Sequence, residues 1–169
     1  MVPSAGLEPA HPAPEAGALS TELRGLGPES SNRPVRDRGS YPFPNVSPRV
    51  LVVDDEPVLR RLLELNLRAA GFEVRMAASG RGALAEAAAV PPDAVVLDLG
   101  LPDLEGAEVV RRLRELPGSD GVPVVVLSGS DRDARAAPGY PSGVFAHLTK
   151  PTDPAAVVEA IRRAVGTAG

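Results

Sequence analysis

With 169 residues, the chain is long enough for one domain and a substantial appendage but too short for two full domains. The net charge of −4 and the scattering of arginines among acidic residues argue against direct nucleic-acid binding, and no apolar run is long enough to cross a membrane. The absence of cysteine rules out a disulfide framework and a thiolate zinc site, and we expect a soluble, uncleaved, cytoplasmic protein.

The N-terminal part of the chain, residues 1–48, is dense in Pro, Gly, Ser and Ala, as in "YPFPNVSP". It shows neither helical nor strand periodicity and cannot bury enough apolar surface to fold. We therefore predict a disordered extension over residues 1–48 and a folded domain over residues 49–169. The extension is either a tail, passive or tethering, or the product of a start codon assigned too far upstream.

From Arg49 onward, short apolar runs alternate with amphipathic stretches, which is the pattern of a parallel sheet covered by helices. Helices are predicted over residues 57–70, over residues 79–89 with Ser79 as cap, over residues 106–116, and after Asp153, which caps the last helix. The predicted strands, in chain order, are "RVLVV", "FEVRMA", "DAVVL", "VPVVVL" and "GVFAHL". The sequence thus predicts an α/β fold of five strand–helix units.

One helix of this series is predicted to be short or irregular. The stretch "SDRDARAAPGYPSG" between the fourth and fifth strands contains Pro138, Gly139 and Pro141. These residues leave room for no more than one or two helical turns.

Polar residues follow the predicted strands at their carboxyl ends, where open parallel sheets bind ligands. Any one of these residues could simply cap a helix. Together they would place carboxylates, a hydroxyl and the only lysine of the chain on one edge of the sheet. The residues are Asp54, Asp55 and Glu56 after the first strand, Asp98 after the third, Ser128 after the fourth and Lys150 after the fifth.

The aspartates among these residues require a cation. Two carboxylates about 4 Å apart repel by about 4 kcal/mol at an effective dielectric constant of 20. Clustered carboxylates suit a hard, octahedral ion, so Mg²⁺ is expected, with Mn²⁺ as a substitute. A metal beside a carboxylate favours phosphoryl transfer, because aspartate can accept a phosphoryl group as an acyl phosphate.

Four motifs in order resemble the receiver domain of bacterial two-component response regulators. They are "VLVVDDEP", "VVLDLGLPDLEG", "VVVLSGS" and "HLTKP", and the resemblance covers residues 49 to about 165. It implies the doubly wound, flavodoxin-like fold with strand order 2-1-3-4-5.

The resemblance also implies a role for each site residue. Asp98 would be the phosphoacceptor, Ser128 would bind the phosphoryl oxygen, and Lys150 would pair with Asp98 or its phosphate. Asp55, Asp98 and the Gly100 backbone carbonyl would bind Mg²⁺ directly, with Asp54 acting through water. The peptide bond before Pro151 would be cis, and Glu56, Pro102 and Gly106 match as helix-start and loop-shaping positions.

His147 departs from the family pattern, because most receivers have Tyr or Phe three residues before the lysine. In one interpretation His147 and Ser128 form the switch, and the charge of the imidazole makes the switch sensitive to pH. In the other, His147 faces solvent on its strand and has no switching role. A lone histidine is weak evidence, so we favour the second interpretation.

The expected function is that of a single-domain, stand-alone response regulator. Its partners would be a sensor histidine kinase or phosphotransfer protein and a downstream protein target, without direct nucleic-acid or membrane binding. It would catalyse only its own phosphorylation and dephosphorylation. One alternative is a degenerate receiver that acts as a constitutive interaction module. Another is a haloacid-dehalogenase-like phosphatase, although that family opens with Asp-x-Asp, where this chain has two adjacent acids.

Overall fold

The computed structural model describes residues 46–129 and 140–167. Strands alternate with helices over residues 49–128, and one further strand and helix follow over residues 146–167. The predicted alternation is confirmed for these residues, with boundaries that differ from the predicted ones by no more than three residues. The elements are β1 (Arg49–Val53), α1 (Pro57–Ala69), β2 (Glu73–Ala77), α2 (Gly80–Ala89), β3 (Ala94–Asp98), α3 (Gly106–Glu115), β4 (Val124–Ser128), β5 (Ala146–Thr149) and α4 (Pro154–Thr167).

The predicted irregular helix between β4 and β5 falls mainly on residues 130–139, which lie outside the described residues. Residues 140–143 form a turn that leads into β5, without helix. The prediction for this segment therefore remains a prediction.

The strands form one parallel sheet in the order β2-β1-β3-β4-β5, which confirms the flavodoxin-like order. Val53 is in register with Leu97, and Asp98 with Leu127. The carboxyl ends of β1, β3 and β4 therefore meet at one edge of the sheet, and the chain after each strand emerges there.

The core lies on both faces of the sheet. The central strands β1, β3 and β4 are buried almost throughout, as expected for parallel strands covered on both sides. One apolar cluster joins alternate strand residues such as Val53 and Leu97 to α2 and α3. The other joins the remaining strand residues to α1 and α4, whose Val157 and Ile161 are fully buried.

The helix starts agree with the predicted caps. The Ser79 Oγ accepts a hydrogen bond from the Gly82 amide, at 3.1 Å, and the Asp153 Oδ1 accepts one from the Ala155 amide, at 2.9 Å. Pro57 occupies the start of α1, where its missing N–H removes no helical hydrogen bond. In the part of the chain that the structure describes, no helix is both long and apolar enough to span a bilayer.

Candidate functional site

Three carboxylates converge at the edge of the sheet where β1 and β3 end. Asp54 and Asp55 follow β1 directly, and Asp98 is the last residue of the neighbouring β3. One oxygen from each of the three lies within 4.8 Å of the others. Asp54 and Asp98 are buried, whereas Asp55 is exposed. The structure thus brings together the acidic residues that the sequence placed there.

Asp54 is held in place by hydrogen bonds on both carboxylate oxygens. Its Oδ1 accepts one from the Glu56 amide and its Oδ2 one from the Lys150 Nζ, each at 2.8 Å. The Arg60 guanidinium donates to the Asp54 backbone carbonyl, at 2.6 Å. Asp54 is thus buried and fixed in orientation, whereas the Asp55 carboxylate is exposed and open to an ion.

Lys150 bridges two of the carboxylates. Its Nζ lies 2.8 Å from the Asp54 Oδ2 and 3.1 Å from the Asp98 Oδ2. Burial acts to lower the pKa of Lys150, but the hydrogen bond with Asp54 and the charge of Asp98 outweigh it, so the net pKa lies above 10.5. The ammonium is therefore charged at neutral pH. Pairing with Asp98 was expected, whereas sequence reasoning missed the pairing with Asp54, and no local signal indicates it.

The Asp98 carboxylate is oriented by the loop that follows it. The Gly100 amide donates a hydrogen bond to the Asp98 Oδ1, at 3.0 Å. A Cβ atom at Gly100 would lie 3.2 Å from the Asp98 Oδ2. Glycine therefore leaves this side of the carboxylate open to an incoming group.

The positions expected to shape loops and helix starts lie where the sequence placed them. Glu56 precedes α1, Pro102 lies in the loop after β3, and Gly106 begins α3. A Cβ atom at Gly106 would collide with the Leu99 Cδ2, so glycine allows a close approach there. The peptide bond between Lys150 and Pro151 is cis, as the resemblance implied.

The expectation that His147 faces solvent is wrong. The side chain is half-buried, its Nε2 lies 2.6 Å from the Ser128 Oγ, and its ring centroid lies 5.8 Å from that of Tyr140. The parallel register explains the orientation, because Val126 pairs with His147, which puts His147 on the face of the sheet that Ser128 shares. That register could have been used to place His147, had the strand pairing been known.

The donor set suits a hard divalent cation. Three carboxylates and one ammonium leave an excess of negative charge, and carboxylate oxygens are the ligands that Mg²⁺ prefers. Such a cluster is typical of a Mg²⁺ site at the carboxyl ends of parallel strands.

Comparisons with known proteins agree with this geometry. Residues 50–162 match the family model of the response regulator receiver domain. The transcriptional regulatory protein KdpE of Mycobacterium tuberculosis is 44% identical over 102 residues, which are 60% of this chain and 44% of KdpE. The transcriptional regulatory protein PrrA of Mycobacterium leprae is 47% identical over 106 residues, which are 62% of this chain and 44% of PrrA. The chain thus spans less than half the length of these relatives.

Two solved structures resemble the fold closely. The chemotaxis protein CheY4 of Vibrio cholerae has a TM-score of 0.65 and 29% identity, covering 70% of this chain and 99% of its own. The receiver domain of the sensor histidine kinase PA1611 from Pseudomonas aeruginosa has a TM-score of 0.66 and 27% identity, and the match covers 72% of this chain and 99% of that domain. That structure carries a magnesium ion in its active-site cleft. This chain belongs to the response regulator receiver domain family.

Proposed function

We propose that the domain accepts a phosphoryl group on Asp98 from a sensor histidine kinase or phosphotransfer protein, or from a small phosphodonor. The proposal is supported above all by the convergence of Asp54, Asp55 and Asp98 with the Lys150 ammonium at one edge of the sheet. The signal would then pass to a downstream protein partner in the bacterial cytoplasm. As a receiver, the domain is a signalling module and not an enzyme beyond its own phosphorylation.

The phosphoryl step follows from the position of Asp98. One of its carboxylate oxygens attacks phosphorus and forms an O–P bond. The bond from phosphorus to the donor breaks, and its electron pair leaves on the imidazole nitrogen of a phosphohistidine or on the carboxylate oxygen of an acyl phosphate. Lys150, 3.1 Å from the Asp98 Oδ2, lies near the new negative charge. The Ser128 hydroxyl would then donate a hydrogen bond to a phosphoryl oxygen, and His147 would be the coupled switch residue.

The residues fit a divalent cation. Asp55, Asp98 and the Gly100 backbone carbonyl would hold Mg²⁺, or Mn²⁺ in its place, and Asp54 would act through water. The bound ion would neutralise charge on the carboxylates and on the transferring group. The exposed carboxylate of Asp55 supports a direct role for that residue.

A second candidate function is favoured by the names of the relatives. KdpE and PrrA are transcriptional regulatory proteins of which the matched region is less than half. A receiver of this kind can also control transcription through another domain or protein. For this reason the stand-alone state remains a prediction.

Phosphorylation can be tested by intact-protein mass spectrometry after incubation with Mg²⁺ and acetyl phosphate. We expect the mass of one acid-labile phosphoryl group to be added to the wild-type protein and none to Asp98→Asn, because the amide is not a nucleophile. The matched control is Asp153→Asn, since asparagine caps α4 as well as aspartate does. No gain in the wild type would contradict the proposal and favour the constitutive interaction module. An equal gain in Asp98→Asn would also contradict it, because another residue would then carry the phosphoryl group.

A further inference from the structure

The carboxylate of Asp103 joins the loop after β3 to the N-terminus of α2. Its Oδ1 accepts a hydrogen bond from the Gly80 amide, at 2.8 Å, and its Oδ2 accepts one from the Arg81 amide, at 2.9 Å. These partners lie 23 and 22 positions away in the chain. The hydrogen bond from Arg81, followed by that from Gly80, holds the pKa of Asp103 below 3.8. The carboxylate is therefore ionised at neutral pH.

The start of α2 depends on Asp103 for half of its backbone donors. A helix leaves its first four N–H groups without intrahelical partners. In α2, the Ser79 Oγ accepts a hydrogen bond from the Gly82 amide, and the Ser79 backbone carbonyl accepts the first intrahelical hydrogen bond, from the Ala83 amide. The amides of Gly80 and Arg81 donate to Asp103 instead. The cap is thus shared between a residue adjacent to the helix and a residue of another loop.

The same loop is also packed tightly against its neighbours. A Cβ atom at Gly80 would lie 2.9 Å from the Leu104 Cβ and 2.8 Å from the Val109 Cγ2, so α2 approaches the loop and α3 more closely than a side chain would allow. Leu101 and Leu104 pack against the buried cluster beneath. The loop is therefore fixed by apolar contacts and by one bidentate carboxylate.

The other end of this loop orients the phosphoacceptor. Gly100 precedes Asp103 by three residues, and its amide donates to the Asp98 Oδ1. A shift of the loop would move this amide, and the Gly100 carbonyl with it. The position of Asp98 is thus connected through the loop to the N-terminus of α2.

We propose that Asp103 is a positioning residue, which fixes the loop against α2 and thereby fixes the Gly100 backbone beside Asp98. The proposal rests on the proposed function of Asp98 as phosphoacceptor and Gly100 as metal ligand. Removing Asp103 would loosen the Gly100 backbone and weaken cation binding. Residues that orient metal ligands typically change metal affinity by about 10- to 100-fold when replaced.

The test compares Asp103→Ala with Ser79→Ala in the full chain. Both substitutions remove a cap from the same helix end, and each costs about 1 kcal/mol of stability. Of these two residues, only Asp103 belongs to the loop and hydrogen-bonds it to that helix end. We expect Asp103→Ala to shift the Gly100 amide signal in NMR spectra and to raise the dissociation constant for Mg²⁺ about tenfold. Ser79→Ala should leave both unchanged.

A conservative variant of Asp103 provides a second comparison in the same test. Asp103→Asn keeps one acceptor oxygen, so its Mg²⁺ affinity and Gly100 amide shift should lie between those of the wild type and Asp103→Ala. This variant also preserves the test if Asp103→Ala does not fold. Equal effects of Asp103→Ala and Ser79→Ala, or wild-type values in both Asp103 variants, would overturn the proposal.

The two proposals fail in different ways. If the wild-type protein gains no phosphoryl group, the phosphoacceptor role of Asp98 is wrong, whatever the Asp103 variants do. If it gains one and the Gly100 amide is unmoved in Asp103→Ala, only the positioning role is wrong.

Discussion

Lys150 lies between the Asp54 and Asp98 carboxylates, and its chemistry explains why an otherwise arginine-rich chain has a lysine there. A compact ammonium on a flexible stem can follow one oxygen from carboxylate to phosphate, whereas a planar guanidinium needs more space and a fixed fork. Lys150→Arg should therefore keep the fold and impair phosphorylation.

The expected loss of phosphorylation rate in Lys150→Arg can be bounded. Removing one preorganised hydrogen-bond donor costs about 100- to 1,000-fold in rate. Because Lys150→Arg keeps a cation, its rate should fall less than about 100-fold below that of the wild type. The rate of phosphorylation by acetyl phosphate measures it. Arg163→Lys, an exchange in the opposite direction on the exposed face of α4, should leave the rate unchanged. A Lys150→Arg protein as fast as the wild type would contradict the prediction.

The pH dependence of this ion pair also follows from Lys150. Folding raises the pKa of Lys150 above 10.5, so the pair stabilises the fold fully below that pH. Its contribution is lost as the pH rises through the folded-state pKa. We expect urea unfolding to show the difference in stability between wild type and Lys150→Met shrinking only in strongly alkaline solution. A difference that already vanishes near pH 8 would show that the pair does not form.

His147 provides the second residue-level prediction. If it acts as the switch, the phosphate mimic beryllofluoride should draw the Ser128 hydroxyl away and change the NMR signals of the His147 ring. His11, which lies outside the described residues and in no site motif, serves as an internal reference. Ring signals of His147 that move no more than those of His11 would rule out the switching role.

At this scale the sequence predicted the identity of the site residues but not all of their contacts. Strand ends placed Asp54, Asp55, Asp98, Ser128 and Lys150 together, because parallel strands share one carboxyl edge. The ion pair between Lys150 and Asp54 joins residues 96 positions apart. The Asp103 carboxylate caps a helix whose first residues lie 22 and 23 positions before it. Such contacts depend on the packed arrangement of elements, and local pattern carries no signal for them.

At the level of elements, close helix packing makes the fold sensitive to one methyl group. At Gly80 a Cβ atom would meet the Leu104 Cβ, which is close to the backbone and cannot easily move away. Gly80→Ala should destabilise the protein by about 1–3 kcal/mol through overpacking. The midpoint of urea unfolding measures this.

Gly166 in α4 is the matched control for Gly80. Among the described residues, apart from the chain neighbours and the backbone of the helix itself, no atom lies within 4 Å of a Cβ placed there. Alanine is also the better helix former by up to about 1 kcal/mol. Gly166→Ala should therefore be neutral or stabilising. The packing explanation fails if both alanine variants unfold at the same urea concentration.

The elements themselves were the most predictable feature of the chain. Nearly continuous apolar runs identified β1, β3 and β4, because strands that are buried on both faces have apolar residues on both sides. β5 begins at Ala146, three residues later than predicted. Among the described strands it lies at the edge of the sheet and pairs with β4 alone. Apolar residues before it, such as Val144, pack against the core without joining the sheet. The strand order came from the family resemblance and not from periodicity.

At the level of the whole molecule, cation binding should stabilise the fold. A ligand that binds only the folded state, present at a concentration about 100 times its dissociation constant, adds about 2.7 kcal/mol to the free energy of unfolding. We expect Mg²⁺ to raise the melting temperature of the wild type, and Asp55→Asn to remove most of the increase. Asp93→Asn, at the opposite edge of the sheet, should respond to Mg²⁺ as the wild type does. An increase that survives in Asp55→Asn would place the cation elsewhere.

The ion pair between Lys150 and Asp54 has a further consequence, for folding kinetics. It connects residues 96 positions apart, one just after β1 and one just after β5. Closing so long a loop costs conformational entropy before the contact forms, so we expect the pair to form late, on an assembled sheet. Late contacts slow unfolding but do not speed folding. The same ammonium that would meet the phosphoryl group should therefore also set the lifetime of the folded molecule.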